Sequence, residues 1–519
     1  MITILLSALN LFGFFLYLQR ALLLSLRYFQ QEEYESFRFL KWSIGNRHFD
    51  WKGTLISALL GPWALFFLYF WLEDPTKEGK KRLQITSRAK RIKRFTLFLT
   101  SGTALASLLI SSISSSSAVY SISSWTMVAI IASLPLWLIL ANVLLIPHEN
   151  KIQKRLLNEA KTKFIDANLF CIGITGSYGK TSTKNAIGEI LNITLGPTFW
   201  PEKGINTPMG ITRAIRENLY SGTKFAVIEM GAYYRGSIHR LCALTPPNGA
   251  IITGVGLCHL ERFGSQEAII ETKSELAQAL PRDGILVYNA DNEGACKIAK
   301  RYPTQRMVSY GISGVARGLD AWMPSYQTND TGTSFIIQWR GSEFKGRCRL
   351  FGESSISNLL AAFAMACELG ADPMFVLSVI SNIEPVDNRL QVKKQSNGWV
   401  VNDAYNSNPE GFSSALKVLK GLPAKRRILM TPGMIELGHL QHVKNEEIAR
   451  EAADICDIAL VIGKTNRIPL EKGLRDAGLP ADKVIYCSTR GEAFEYLKRE
   501  GQEGDALLIE NDLPDLYGR

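Results

Sequence analysis

No two cysteines in this chain are spaced Cys-x-x-Cys, and all eight, from Cys171 to Cys487, fall after residue 170. Thiols scattered in this way build neither a disulfide framework nor a clustered zinc site, so reduced cysteines in a cytoplasmic domain are expected. The first apolar stretch lacks a short basic n-region and a small-x-small cleavage signature, so a removable signal peptide is not expected. Internal repeats are absent, and low complexity is confined to the serines of 111–117. Nucleic acid is not an expected partner. The net charge is +11, yet the basic residues crowd beside apolar runs instead of forming a basic-aromatic stripe or a recognised module. That placement suits anionic lipid headgroups and membrane topology.

What is present divides the 519 residues into dissimilar regions. Residues 1–150 carry four apolar stretches, at 2–18, 54–72, 95–113 and 125–146. A helix needs about 20 apolar residues to cross a hydrocarbon core of about 30 Å. The last stretch meets this length and the middle two come close, so a multi-pass helical region in the inner membrane is expected, with the lipid bilayer as a partner. The Lys/Arg-rich segment 73–94, including Lys80 and Lys81, and the basic residues Lys151, Lys154 and Arg155 would be cytoplasmic, and the uncharged connection 114–124 would lie outside. Four spans leave Arg20, Arg38 and Arg47 on the wrong side, a conflict that a re-entrant second stretch, broken at Gly61-Pro62, would relieve. The region reads as an anchor. A lipid-linked substrate site is the sharper alternative, but no ionisable residue interrupts the cores of the last two stretches.

After a linker at 151–168, short β-rich runs alternate with amphipathic segments. Strands are expected at 169–175, 225–230, 249–255 and 284–288, with helices at 181–191, 267–280 and 357–369. A second unit, 385–519, has expected strands at 399–402, 427–430, 458–462, 484–486 and 506–509. Such alternation predicts mostly parallel sheets covered by helices, an α/β fold in two domains, 169–384 and 385–519.

The first strand runs into Thr175-Gly176-Ser177-Tyr178-Gly179-Lys180-Thr181-Ser182. Two glycines let backbone N–H groups turn toward phosphate oxygens beside a helix N-terminus, Lys180 would neutralise the β- and γ-phosphates, and Thr181 would offer a hydroxyl to Mg²⁺. The loop is shorter than the general phosphate-loop pattern, since position 174 is Ile. Glu229 ends the next apolar strand, at the rim where open α/β sheets bind ligands, and suits a hard cation. His259 lies at the same rim and is a second metal candidate. Lys273, in a helical segment, reads from composition as a solvated residue. The cluster from Asn402 to Pro409, with Asp403, Tyr405, Asn406 and Asn408, is either a turn or a grip on a ribose and base.

These clusters, in this order, resemble the Mur ligase family, most of all its D-alanyl-D-alanine-adding branch. The resemblance also rests on Asn358, on Asn388-Arg389-Leu390 and on Gly433-Met434-Ile435-Glu436-Leu437-Gly438. It implies a central phosphate-loop ATP-binding domain followed by a Rossmann-like C-terminal domain, with ATP and Mg²⁺ as cofactors. The implied reaction phosphorylates a carboxylate acceptor to an acyl phosphate, which an amino-acid or dipeptide amine then attacks, releasing ADP and phosphate. By the same resemblance Lys180, Glu229, His259 and Lys273 are catalytic. Thr181, Glu229, His259 and Lys273, the last as a carbamate, place the metals. Thr175 through Ser182, Asn358, Arg389, Asp403, Tyr405 and Asn406 hold the nucleotide. Four departures stand out: Gly352-Glu353-Ser354-Ser355 in place of G-x-H-N, Thr207 after Asn206 in place of a second asparagine, a C-terminal Glu510-Asn511-Asp512-Leu513-Pro514 in place of Lys-Gly-Ser, and the apolar region in place of the family's UDP-sugar-binding domain. The expected function is therefore a membrane-anchored ligase acting on a cell-envelope, peptidoglycan-type precursor beside other envelope-synthesis proteins. Alternatives are a membrane-tethered polyglutamate-type synthase and a non-catalytic ATP-binding scaffold.

Overall fold

Among the described residues, helices without strands run up to the helix Leu134–Asp166, and strand–helix alternation follows it. The computed structural model describes residues 2–32, 34–45, 51–70, 72–77, 82–113, 117–312 and 318–513. These divide into two compact units, one up to Lys154 and one from Arg155 to Leu513. Arg47, Lys80, Lys81, serines 114–116 and Pro514, all used in the sequence reading, lie outside the described residues.

The first unit corrects the expectation of a multi-pass protein of the inner membrane. Among the described residues one helix, Ala8–Gln31, is long and apolar enough to cross a bilayer, or two spans result if a pair bent by 75°, Ile122–Ala132 and Leu134–Asp166, counts as one. The second apolar stretch is broken into Trp51–Leu60, a 3₁₀ turn Pro62–Ala64 and Leu65–Tyr69, because Gly61 takes φ 91° and Pro62 cannot continue the ladder. The third belongs to helix Ser87–Ile113, where Thr96, Thr100 and Thr103 return their hydroxyls to carbonyls four residues back and dilute the apolar run. Phe14, Leu18, Leu22, Phe29, Phe39, Leu65 and Leu138 make a core within this unit. Polar ties cross it: Arg91 pairs through two nitrogens with the buried Glu149, and Arg88 donates to Asn142 at 3.1 Å.

The second unit holds two sheets. The central one comprises β1 (Phe170–Thr175), β2 (Thr198–Phe199), β3 (Phe225–Glu229), β4 (Gly249–Ile252), β5 (Ile285–Asn289), β6 (Arg306–Gly311), β7 (Ala321–Asn329), β8 (Gly332–Trp339) and β9 (Ser342–Cys348), in the order 2-3-1-4-5-6-7-8-9. β1 to β7 pair in parallel, and β7–β8–β9 is an antiparallel extension. Strands β1, β3 and β4 are buried almost throughout, as strands covered on both faces must be. β1 lies between β3 and β4, so the chain reverses direction across the sheet there. Open α/β sheets bind ligands at this kind of switch point. Helix Lys180–Thr194 leaves β1 and buries Ile187, Ile190 and Leu191 on the sheet.

The second sheet comprises β10 (Gln391–Gln395), β11 (Gly398–Asp403), β12 (Arg426–Thr431), β13 (Ile458–Ile462), β14 (Val484–Cys487) and β15 (Asp505–Glu510), ordered 10-11-15-12-13-14. All its pairs are parallel except β10–β11. The expected α/β class is the observed one. β2 and β6 to β10 are not foreseen from the sequence.

Candidate active site

A cleft of about 400 Å³ opens where the C-terminal ends of β1 and β3 face the first residues after β11. The central lobe contributes Ser177, Tyr178, Gly179, Lys180, Thr181, Ser182, Glu229, His259 and Asn358 to its walls, and the C-terminal lobe contributes Arg389, Asp403, Tyr405 and Asn406. The sequence-predicted residues thus converge, with three exceptions. Gly176 does not line the cleft, and its carbonyl accepts from Lys180 and Lys273. Thr175 is fully buried and donates its hydroxyl to the Met230 carbonyl at 3.2 Å. Lys273 does not line the cleft and approaches the loop from behind.

The loop owes its path to its glycines and to cross-ties from the strand-β4 side. Gly179 has φ 78°, and a Cβ there would sit 2.3 Å from Asn358 Oδ1. A Cβ on Gly176 would meet Thr253 Oγ1 at 2.0 Å. Ser177 N donates to the Gly254 carbonyl at 2.6 Å, and Thr253 Oγ1 donates to the Tyr178 carbonyl at 2.6 Å. The helix then starts at Lys180 with no side-chain cap, so its first-turn N–H groups are left for a ligand. Lys180 Nζ rests on the Gly176 carbonyl at 2.8 Å. Burial pushes the Tyr178 phenol up to about 12, helped by Glu410, so the ring meets a ligand uncharged.

Glu229 is 1% exposed and accepts from Thr181 Oγ1 at 2.7 Å and from Asn206 Nδ2 at 2.9 Å. His259 begins a short helix, Leu260–Phe263, with φ 55°, and its Nδ1 meets a carboxylate oxygen of Glu436. Burial works against charge on this ring, but Cys258 and Glu436 outweigh it and lift His259 to about 9. A metal at His259 must displace that proton.

Lys273 is buried, not solvated: its helix Gln266–Gln278 turns it inward, and Nζ donates to the Gly176 carbonyl at 2.8 Å. Burial, with Lys180 adding to it, lowers its amine to about 7. A large share of this amine is therefore neutral and nucleophilic near neutral pH.

On the opposite wall the Arg389 guanidinium lies 4.0 Å from the Tyr405 ring centre. Asp403 Oδ1 accepts from Leu390 N at 3.0 Å. Burial raises the Asp403 carboxyl to about 6 against the pull of that N–H and of Arg389. Asn358 anchors the loop helix by accepting from Thr183 Oγ1 at 3.2 Å.

Residues not singled out from the sequence also shape this site. Lys184 is fully buried and donates to the carbonyls of Pro201 and Lys203, which ties down the segment leading to Asn206. Its place three residues after Thr181 was the available signal. Glu436 was noticed only as part of a matching motif.

Among the described residues no three His, Cys, Asp or Glu side chains gather as a metal-binding group. The donor set still fits Mg²⁺, which keeps several waters and binds through one or two carboxylates plus substrate phosphates. Glu229 and the Thr181 hydroxyl sit together beside the phosphate loop to supply that share.

An uncapped phosphate-binding helix opposite a second Rossmann-like lobe is the architecture of an ATP-dependent ligase. Residues 174–366 match the Mur ligase middle domain and residues 388–510 match the Mur ligase glutamate ligase domain. The UDP-N-acetylmuramoyl-tripeptide–D-alanyl-D-alanine ligase of Mycobacterium tuberculosis is 31% identical over 380 residues, covering 68% of this chain and 72% of that protein. The MurF ligase of Thermotoga maritima, solved with ADP, superimposes with a TM-score of 0.61 at 25% identity over 69% of this chain and 80% of its own. MurF from Acinetobacter baumannii shares the fold, with a TM-score of 0.62 at 23% identity over 69% of this chain and 77% of its own. The chain belongs to the Mur ligase family, as an amide-bond-forming enzyme that uses ATP and Mg²⁺. That membership sets the non-catalytic scaffold aside.

Proposed function

We propose that this chain joins a carboxyl group of a peptidoglycan-type precursor to an amino-acid or dipeptide amine through an acyl phosphate. The observation that carries the reading is the grouping of Lys180, Thr181 and Glu229 at the ends of β1 and β3, facing Arg389 and Asp403 across one cleft. A relative named for joining D-alanyl-D-alanine to a UDP-muramoyl tripeptide supports the substrate class.

A carboxylate is a poor electrophile, and phosphorylation gives it a leaving group. Its oxygen bonds to the γ-phosphorus as the bond to the ADP oxygen breaks. The amine nitrogen then bonds to the acyl carbon, phosphate departs, and the nitrogen loses a proton. Loop N–H groups and Lys180 hold the β- and γ-phosphates and offset their repulsion of the incoming carboxylate. Thr181 and Glu229 would hold one Mg²⁺, while His259 and a carbamate on Lys273 would serve the second. Mg²⁺ supplies charge neutralisation at the transferring phosphoryl group. The neutral amine of Lys273 suits attack on CO₂: its nitrogen bonds to the carbon, one C=O pair moves onto oxygen, and the nitrogen gives up a proton to leave the carbamate. Asn358, Arg389, Tyr405 and Asn406 embrace the nucleoside, and Asp403 takes the ribose. We assign these tasks to domains 169–384 and 385–519; most of the expected linker at 151–168 belongs to the helix Leu134–Asp166. Bilayer attachment enters only as a single-helix tether, Ala8–Gln31. Flotation of the full chain with lipid vesicles tests it, and a chain that stays below the vesicles removes the tether without touching the ligase reading.

The ligase test is ADP release by the purified full chain with amino acids, dipeptides and carboxylate acceptors. Stimulation by an amine together with a muramoyl-peptide acceptor, lost in Lys180→Ala, is the expected result. ATP binding without stimulation by any pair sinks the proposal. Stimulation by glutamate on a folate-like acceptor would favour the polyglutamate-type alternative.

A further inference from the structure

The C-terminal lobe grips the loop that carries His259, and it does so with carboxylates. After β12 the chain passes through Gly433, φ 76°, to Glu436, φ 63°. One Glu436 oxygen meets His259 Nδ1, and the other accepts from Arg262 Nη2 at 3.2 Å. The Glu436 carbonyl accepts from Glu261 N at 3.2 Å. At the other end of the loop, Glu410 fills the space beside Gly256, where a Cβ would lie 2.6 Å from its Oε1.

Glu436 is presented by a stiff support. Asn445, fully buried, accepts from Met434 N at 2.8 Å and donates to the Met434 carbonyl at 2.9 Å. Asn466 donates to the Pro432 and Met434 carbonyls, each at 3.0 Å, and Asn511 donates to the Gly433 carbonyl at 2.7 Å. Three buried amides thus clamp the backbone just before Glu436. So much fixation of an otherwise irregular turn calls for a reason in what the turn holds.

A carboxylate bridging Arg262 can only accept from an imidazole. Its partner nitrogen, Nδ1, therefore keeps its proton, and Nε2 is the nitrogen whose lone pair a metal would take on displacing the second proton. Histidines that ligate metals are commonly set in this way by a carboxylate behind them. We propose that Glu436 is a positioning residue: from the C-terminal lobe it fixes the tautomer and ring direction of the central lobe's His259, so that the histidine side of the metal site is complete only when the two lobes are docked. The inference rests on the proposed metal role of His259.

The test is Mn²⁺ binding to the full chain with a non-hydrolysable ATP analogue, followed by electron paramagnetic resonance. Glu436→Ala should raise the Mn²⁺ concentration for half-saturation roughly 10–100-fold. Glu436→Gln, whose amide oxygen still accepts from Nδ1, should recover most of that loss. Metal-free affinity for the analogue should stay within about twofold in both, which separates positioning from a failure to fold. Equal losses in Glu436→Ala and Glu436→Gln, or no loss in either, overturn the inference. His259→Ala tells the two levels apart. If it weakens Mn²⁺ binding while Glu436→Ala does not, only the positioning role fails. If His259→Ala leaves Mn²⁺ binding unchanged, the metal reading of His259 fails as well.

Discussion

Two strand-to-helix turns in this molecule start alike and end in opposite uses. After β1 the chain turns through Gly176 and Gly179 into helix Lys180–Thr194, and after β12 it turns through Gly433 toward helix Gln441–Ala453. Neither helix has a side-chain cap, but the first turn presents its helix start, from Gly179 to Ser182, to the cleft. In the second turn the polar groups are spent on the protein's own side chains, through Asn445, Asn466 and Asn511. An unspent turn can bind a changing ligand, while a spent one can only hold a shape. The same backbone motif thus serves as a phosphate site or as a rigid mount, depending on which side chains reach it.

The comparison breaks most visibly at Lys180. Lys180→Ala should lower amine-dependent ADP release about 10³-fold, the scale of losing a principal charge on the transferring group. Its melting temperature should hardly move, because Lys180 Nζ touches only loop carbonyls. The mount should show the reverse. Asn445→Ala strips three hydrogen bonds from a buried turn and should cost about 2–3 kcal/mol in denaturant unfolding. Metal-free affinity for an ATP analogue should change little. A large loss of nucleotide affinity there would erase the distinction between the two turns.

Gly179→Ala probes the binding turn from the steric side. It puts a side chain at φ 78° against Asn358, so it should cost about 1–2 kcal/mol of stability and also weaken nucleotide binding. The smallest effect concerns pH. Asp505, paired with Arg426 through two nitrogens at 2.8 and 2.7 Å, sits below the usual carboxylate range because that pairing outweighs its burial. Its folded pKa lies under its unfolded one, so its contribution is present above pH 4 and is lost as pH falls through the folded value. The acid-induced drop in melting temperature should be shallower in Asp505→Asn than in the unaltered chain. An equal drop would show that the Asp505–Arg426 pair between β15 and β12 carries no acid sensitivity.

How much of this was legible in the residues varies with how local each signal is. Strand β13 matches its expected bounds, and β1, β3, β11 and β12 lie within a residue or two of theirs, because apolar runs bounded by turn residues report burial directly. β7 was missed because most of it is exposed on both faces, so no alternation marks it. Composition alone leaves Lys273 on a solvated face and only the family resemblance gives it a role, whereas the fold turns that face toward the phosphate loop. The apolar stretches before residue 150 were plain, but spans were overcounted. Apolar length records only that a segment avoids water. The break at Gly61-Pro62 is legible in the residues themselves, but apolar length does not register the 75° bend before Leu134 or the threonines that dilute Ser87–Ile113.

The sequence by itself determined the α/β class, the phosphate loop and the order of the family motifs. Each of these is written in neighbouring residues, where a glycine, a lysine and a helix start act over a few ångströms. Only the tertiary structure decided that Lys273 is a buried amine, that Asn206 and Thr181 share Glu229, and that Glu436 stands behind His259 across 177 positions of chain. Those pairings depend on which strand ends meet and how the two lobes face, and no local pattern encodes a distance between segments so far apart in sequence.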